Sequence, residues 1–159
     1  MKPNIGLSDL EGESVVQLLH ILLADEVVLY TKTRNYHWNV SGPQFNDLHK
    51  FFESQYVALN EIVDQVAERA RSVGGRAIGT LSEFLKKSRL KEQPGQYPEA
   101  GEMISRLLAD HEIIIRSLRS DLVLSAEKYH DAGTSDFLTG LMEQHEKMAW
   151  MLRSFLEKG

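Results

Sequence analysis

The chain of 159 residues contains no cysteine. That excludes a disulfide framework, a thiolate-ligated zinc or iron–sulfur site, and thiol catalysis. Its 4 prolines fall at positions 3, 43, 94 and 98, so long stretches between them are free to be helical. No segment alternates polar and apolar residues at period two over a useful length, and no hairpin turn signal occurs, so nothing supports a β-sheet. The most apolar stretch, Val15 to Tyr30, is broken by Gln17, His20, Asp25 and Glu26, and no membrane span is expected. The opening Met1-Lys2-Pro3-Asn4-Ile5-Gly6 lacks the apolar core of a signal peptide, which points to a cytoplasmic location. Cationic charge is scarce: the formal net charge is −5, which opposes unaided binding to nucleic-acid phosphates and favours the collection of cations.

The composition, 42% hydrophobic and 26% charged, is that of one folded domain with a single core. After a short tail at 1–8, Ser8-Asp9-Leu10-Glu11 has the spacing of a capping box. Val15, Leu18, Leu19, Leu22, Leu23 and Leu29 then recur at helical period, which predicts a first helix over 9–37. Ser41-Gly42-Pro43 breaks it. A second helix is predicted from Gln44 to Ser72, with the stripe Leu48, Phe52, Gln55, Leu59, Ile62, Val66 and Ala70, and Val73-Gly74-Gly75 ends it. Thr80-Leu81-Ser82-Glu83 is another capping box, opening a short helix to about Lys87. A polar link carrying Lys86, Lys87, Arg89 and Lys91 reads as a solvated loop. The third long helix starts at Pro98-Glu99, carries Ile104, Leu107, Leu108, Ile115, Leu118 and Leu122, and stops near Gly133. The fourth starts at Thr134 or Ser135, with Asp136 in its first turn, and its stripe is Leu138, Leu141, Met142, Met148, Leu152 and Phe155. The fold class is an all-α four-helix bundle with a short extra helix in the second connection.

Metal-ligand residue types are superimposed on this pattern. His37 and His49 stand equally far from Pro43, so a helical hairpin sets them side by side. Asp64 and Glu68 share one face of the second helix at i, i+4. His49 and Asp64 are nevertheless about 22 Å apart along the helix axis at about 1.5 Å per residue, too far for one ion. A two-fold axis resolves the conflict. If the second helix packs antiparallel against its copy, 49 meets 64 to 68 across an axis near Val57 and Ala58, and each of two equivalent sites draws its histidines from one chain and its acids from the other. Imidazole with carboxylate suits Fe(II), among other divalent metals. His111 and His145 sit on apolar stripes and read as core histidines with satisfied hydrogen bonds.

The run His37-Trp38-Asn39-Val40-Ser41-Gly42, followed by Leu48-His49-Lys50-Phe51-Phe52-Glu53, resembles the first signature of the Dps family of mini-ferritins. Val63-Asp64-Gln65-Val66-Ala67-Glu68-Arg69 resembles the second. The resemblance implies that His37, His49, Asp64 and Glu68 are ferroxidase ligands lying between two subunits, that Glu53 assists a second and weaker iron, and that Trp38 is an aromatic close to the site. It implies a hollow dodecamer that oxidises Fe(II), usually with hydrogen peroxide and otherwise with oxygen, and stores the ferric mineral in protection against oxidative stress. It also suggests Asp131 and Asp136 as residues of an ion-entry pore. Many family members coat DNA, but the segment before the first helix offers only Lys2, so DNA binding is doubtful. The rival reading is a DNA-compacting protein with a vestigial metal site. The Glu-x-x-His pairs of an ordinary ferritin occur only once, at Glu127 and His130, which disfavours a metal site inside the bundle.

Overall fold

The computed structural model describes residues 3–157. Its elements are α1 (Asp9–Asn39), α2 (Phe45–Ser72), α3 (Leu81–Lys87), α4 (Ala100–Val123), a π-helical turn (Leu124–Lys128) and α5 (Ala132–Leu156). No strand occurs among the described residues. Two helical hairpins, α1 with α2 and α4 with α5, pack into the four-helix bundle, while α3 lies against α1.

Local chemistry sets the helix ends where the sequence marks them. Ser8 caps α1 and Thr80 caps α3, each accepting from the backbone N–H three residues on, while Glu11 and Glu83 return the bond. Gly42 takes φ +104 in the turn between α1 and α2, a conformation open to glycine at little cost. Beyond α2, a Cβ on Gly75 would lie 2.4 Å from Val16, so only glycine lets the chain cross α1 so closely. The seven residues of the α2 stripe are the seven that α2 buries. With Leu19, Leu22, Leu107, Leu118, Leu138 and Leu152 the apolar ones among them make one continuous core.

The end of the second hairpin departs from expectation. The third long helix does not run to Gly133: it widens into the π turn, and His130 adopts φ +51 before α5 begins. The N-cap of α5 is Asp131, whose carboxylate accepts from the N–H and hydroxyl of Thr134. Asp136 therefore lies beyond the first turn. Asp131 also accepts from Arg69 of α2 at 3.0 Å, an ion pair that pins the turn to the other hairpin. The basic link is not simply solvated either. Arg89 is held to Asp25 of α1 at 2.6 Å, and the buried ammonium of Lys32 donates to the carbonyl of Lys91.

By length and hydropathy α1 could cross a membrane, with a mean hydropathy of 1.4 over its most apolar window, yet 67% of that window is buried inside the bundle. Its buried Asp25, Glu26 and Lys32 find partners there, as buried charges must.

Two outcomes follow. Phe52→Ala, at a position 0% exposed, should destabilise the fold by about 3–5 kcal/mol in denaturant unfolding. Glu11 is held down to about 2 by hydrogen bonds from Ser8 and from His130. A carboxylate whose folded value is lowered stabilises above the ordinary carboxylate range and loses that contribution as pH falls towards 2. Melting temperatures of wild type and Glu11→Ala should accordingly differ at pH 7 and converge near pH 2.

Candidate metal centre

The α1–α2 turn brings His37 and His49 into face-to-face contact. Their rings stack with centroids 3.8 Å apart and planes 20° from parallel. Each ring is also tied to the other residue's backbone: His37 Nδ1 lies 2.7 Å from the carbonyl of His49, and His49 Nδ1 lies 2.9 Å from the carbonyl of His37. A carbonyl only accepts, so both Nδ1 atoms carry a proton and both Nε2 atoms are left outside these bonds. The carbonyl of His37 is free for this because it stands in the last turn of α1, where helical donors run out. Phe45 stacks on His49 at 5.1 Å and Tyr56 meets His37 edge-on at 5.2 Å, which fixes the ring planes from outside. His37 is 7% exposed. The pair is thus preoriented, with the outer hydrogen bonds of both imidazoles already made.

Asp64 and Glu68 stand on the exposed face of α2. The nearby arginines do not neutralise them. Arg69 is engaged with Asp131 and Thr134, and Arg71 with the carbonyl of Gly75. Among the described residues neither carboxylate has an ion pair or a hydrogen bond. Glu53 is likewise exposed and free of partners, one helical turn beyond His49. Because α2 is unbroken from Phe45 to Ser72, the separation of about 22 Å stands. Among the described residues no group of three or more His, Asp or Glu side chains is placed to hold a metal ion within one protomer.

Other positions resolve differently. Trp38 does not pack into the protomer: it is 62% exposed, with the guanidinium of Arg34 at 4.9 Å over its ring. Asp131 is buried and bonded to Arg69 and Thr134, whereas Asp136 is exposed. His111 and His145 are buried as expected, but not fully satisfied, since His111 Nε2 has no partner. The sequence reading missed Glu26, which meets His145 at 2.8 Å inside the bundle. A carboxylate inside a leucine-rich helical stripe was the available signal.

A family model described as a ferritin-like domain matches residues 16–159. The chain is 49% identical over 154 residues to an uncharacterized low temperature-induced protein of Nostoc sp., covering 97% of this chain and 86% of that one. It is 38% identical over 148 residues to a DNA protection during starvation protein of Brevibacillus brevis, covering 91% and 98%. The chain belongs to the Dps branch of the ferritin-like family. Its fold agrees with that of the Vibrio cholerae Dps protein at a TM-score of 0.91, with 31% identity and coverage of 98% of this chain and 97% of the other.

Family membership makes the free face of α2 the surface to test. Val57 is 52% exposed and lies where the two-fold axis is expected. Val57→Arg should leave the protomer folded, because the side chain stands outside the core. It should abolish assembly by placing like charges against each other across the axis, seen as loss of the large species in size-exclusion chromatography.

Proposed function

We propose that this Dps protein is an iron-storing ferroxidase whose Fe(II) substrate binds between two copies of the chain. The observation that carries the reading is the histidine pair. Two imidazoles have their Nδ1 protons bound to carbonyls, leaving both Nε2 lone pairs for a cation, and two unpaired carboxylates stand at the far end of the same helix. An antiparallel pairing of α2 with its copy supplies Asp64 and Glu68 of one chain to His37 and His49 of the other. Glu53, one turn from His49, holds a second and weaker iron.

In this reading the four side chains bind and orient metal, and no nucleophile or organic cofactor takes part. Few protein ligands leave open positions for an oxidant. Hydrogen peroxide takes one electron from each of two Fe(II) ions and two protons, giving two Fe(III) and two waters. The ferric ions then hydrolyse and collect as mineral inside a dodecameric shell in the cytoplasm, with Asp136 a candidate for the entry path. Consuming Fe(II) and peroxide together removes both reactants of hydroxyl-radical formation, which is protection against oxidative stress. Support comes from the donor chemistry, and from relatives described as a ferritin-like diiron-carboxylate protein and as a protein of DNA protection during starvation. With a net charge of −5, protection by coating DNA is the weaker alternative.

Complementation between variants tests the shared site. His37→Ala/His49→Ala protein and Asp64→Ala/Glu68→Ala protein should each oxidise Fe(II) at the buffer rate after anaerobic loading and peroxide addition. Unfolded and refolded together in equal amounts, half of the dimers are mixed and each restores one of its two sites. Activity should therefore return to about one quarter of wild type. Full activity in either variant alone, or none in the mixture despite assembly, would sink the inter-subunit site. Oxidation by peroxide should outpace oxidation by oxygen. Strong retardation of DNA in a gel shift at physiological salt, without Fe(II) oxidation, would favour the alternative.

A further inference from the structure

Among the described residues the buried aspartates each meet a permanent cation. Asp25 takes the guanidinium of Arg89, Asp110 the ammonium of Lys32, and Asp131 the guanidinium of Arg69. Glu26 of α1 is the exception. It is 0% exposed, and its ion-pair partner is His145 of α5, with Nε2 to Oε1 at 2.8 Å. His145 Nδ1 in turn lies 2.9 Å from Nδ1 of His111 on α4, and both histidines are 0% exposed. Three helices are thus joined by one chain of hydrogen bonds in the dry centre of the bundle. Its outer atoms, Glu26 Oε2 and His111 Nε2, are buried without partners.

The charge of this chain cannot be balanced from outside. On α1, Asp25 and Lys32 are engaged with Arg89 and Asp110, and on α4 Asp110 is engaged with Lys32. α2 buries only uncharged residues, with Gln55 donating to the carbonyl of Met148, and α5 buries no ionisable residue besides His145. Burial, and then the charge of His145, pushes His111 well below the ordinary imidazole range, so His111 is neutral. A carboxylate with no countercharge is strongly disfavoured in such surroundings. One proton shared by Glu26 and His145 removes the imbalance. His145 then donates through Nε2 to Glu26 and through Nδ1 to His111, and each bond has one donor and one acceptor.

We propose that Glu26, His145 and His111 bind one proton as a structural ligand that fastens α5 to α1 and α4. A free imidazole is neutral above about pH 6.5, so the unfolded chain does not hold this proton at pH 8 and the folded bundle does. Stability from this source is full below that range and is lost as pH rises. The proton works inside the bundle, far in sequence from the α1–α2 turn, and the inference does not depend on iron.

Solid-state nitrogen NMR of histidine-labelled, sedimented wild-type protein at pH 8 reads the proton directly. His145, assigned by its absence from His145→Gln protein, should show both ring nitrogens protonated while His111 is neutral. A neutral His145 overturns the proposal. Stability gives a second reading, because Glu26→Gln keeps an acceptor for His145 and removes the anion. Between pH 7.5 and 9 the wild-type unfolding constant should rise relative to that of the variant by about tenfold per pH unit. Parallel pH profiles would also overturn it, and if the variant does not fold the wild-type spectrum alone decides.

Discussion

The reciprocal tie between His37 and His49 organises the rest of the molecule. Each ring donates to the other residue's carbonyl, so the contact closes the α1–α2 hairpin, fixes both tautomers and stacks the two rings at once. One pair of side chains thereby serves folding and chemistry together. The hairpin sets the register of α2, and that register decides which face of α2 is buried and which carries Asp64 and Glu68. A shift of one residue in the turn would rotate the carboxylate face by about 100° and separate it from any partner chain.

Much of the fold was legible in the sequence, because its signals are local. Two capping boxes, a Ser-Gly-Pro turn and an apolar stripe at period 3.6 depend only on neighbours within a turn or two. The α2 stripe was read residue for residue. The end of α4 was not legible, because a π turn has no composition of its own and the cap of α5 is decided by the long-range pair Asp131–Arg69. Residues 62 apart in the chain cannot be matched from spacing alone. The same limit hid Arg89 behind an apparently solvated basic run, since its partner Asp25 lies 64 residues away in the chain.

The candidate centre was legible in an unusual way. The histidines are adjacent through a turn, which sequence shows, and the acids are distant along a helix, which sequence also shows. The mismatch itself pointed outward to a second copy, and the structure keeps it, with no group of three His, Asp or Glu side chains placed to hold a metal among the described residues of one protomer. Glu26 was lost among apolar neighbours, and its meaning rests on His145 and His111, which come from two other helices. The bundle thus carries free carboxylates on the surface of α2 and keeps at its centre a polar chain whose two end atoms have no partner.

The unbroken length of α2 also acts as a ruler. With histidine near one end and carboxylates near the other, the antiparallel pair proposed above would hold its two iron positions about 22 Å apart. That is well beyond the roughly 8 Å over which charges communicate at physiological salt. In that proposed dimer, filling one position would leave the field at the other almost unchanged, so a straight helix would make the two halves independent counters of iron rather than a cooperative pair.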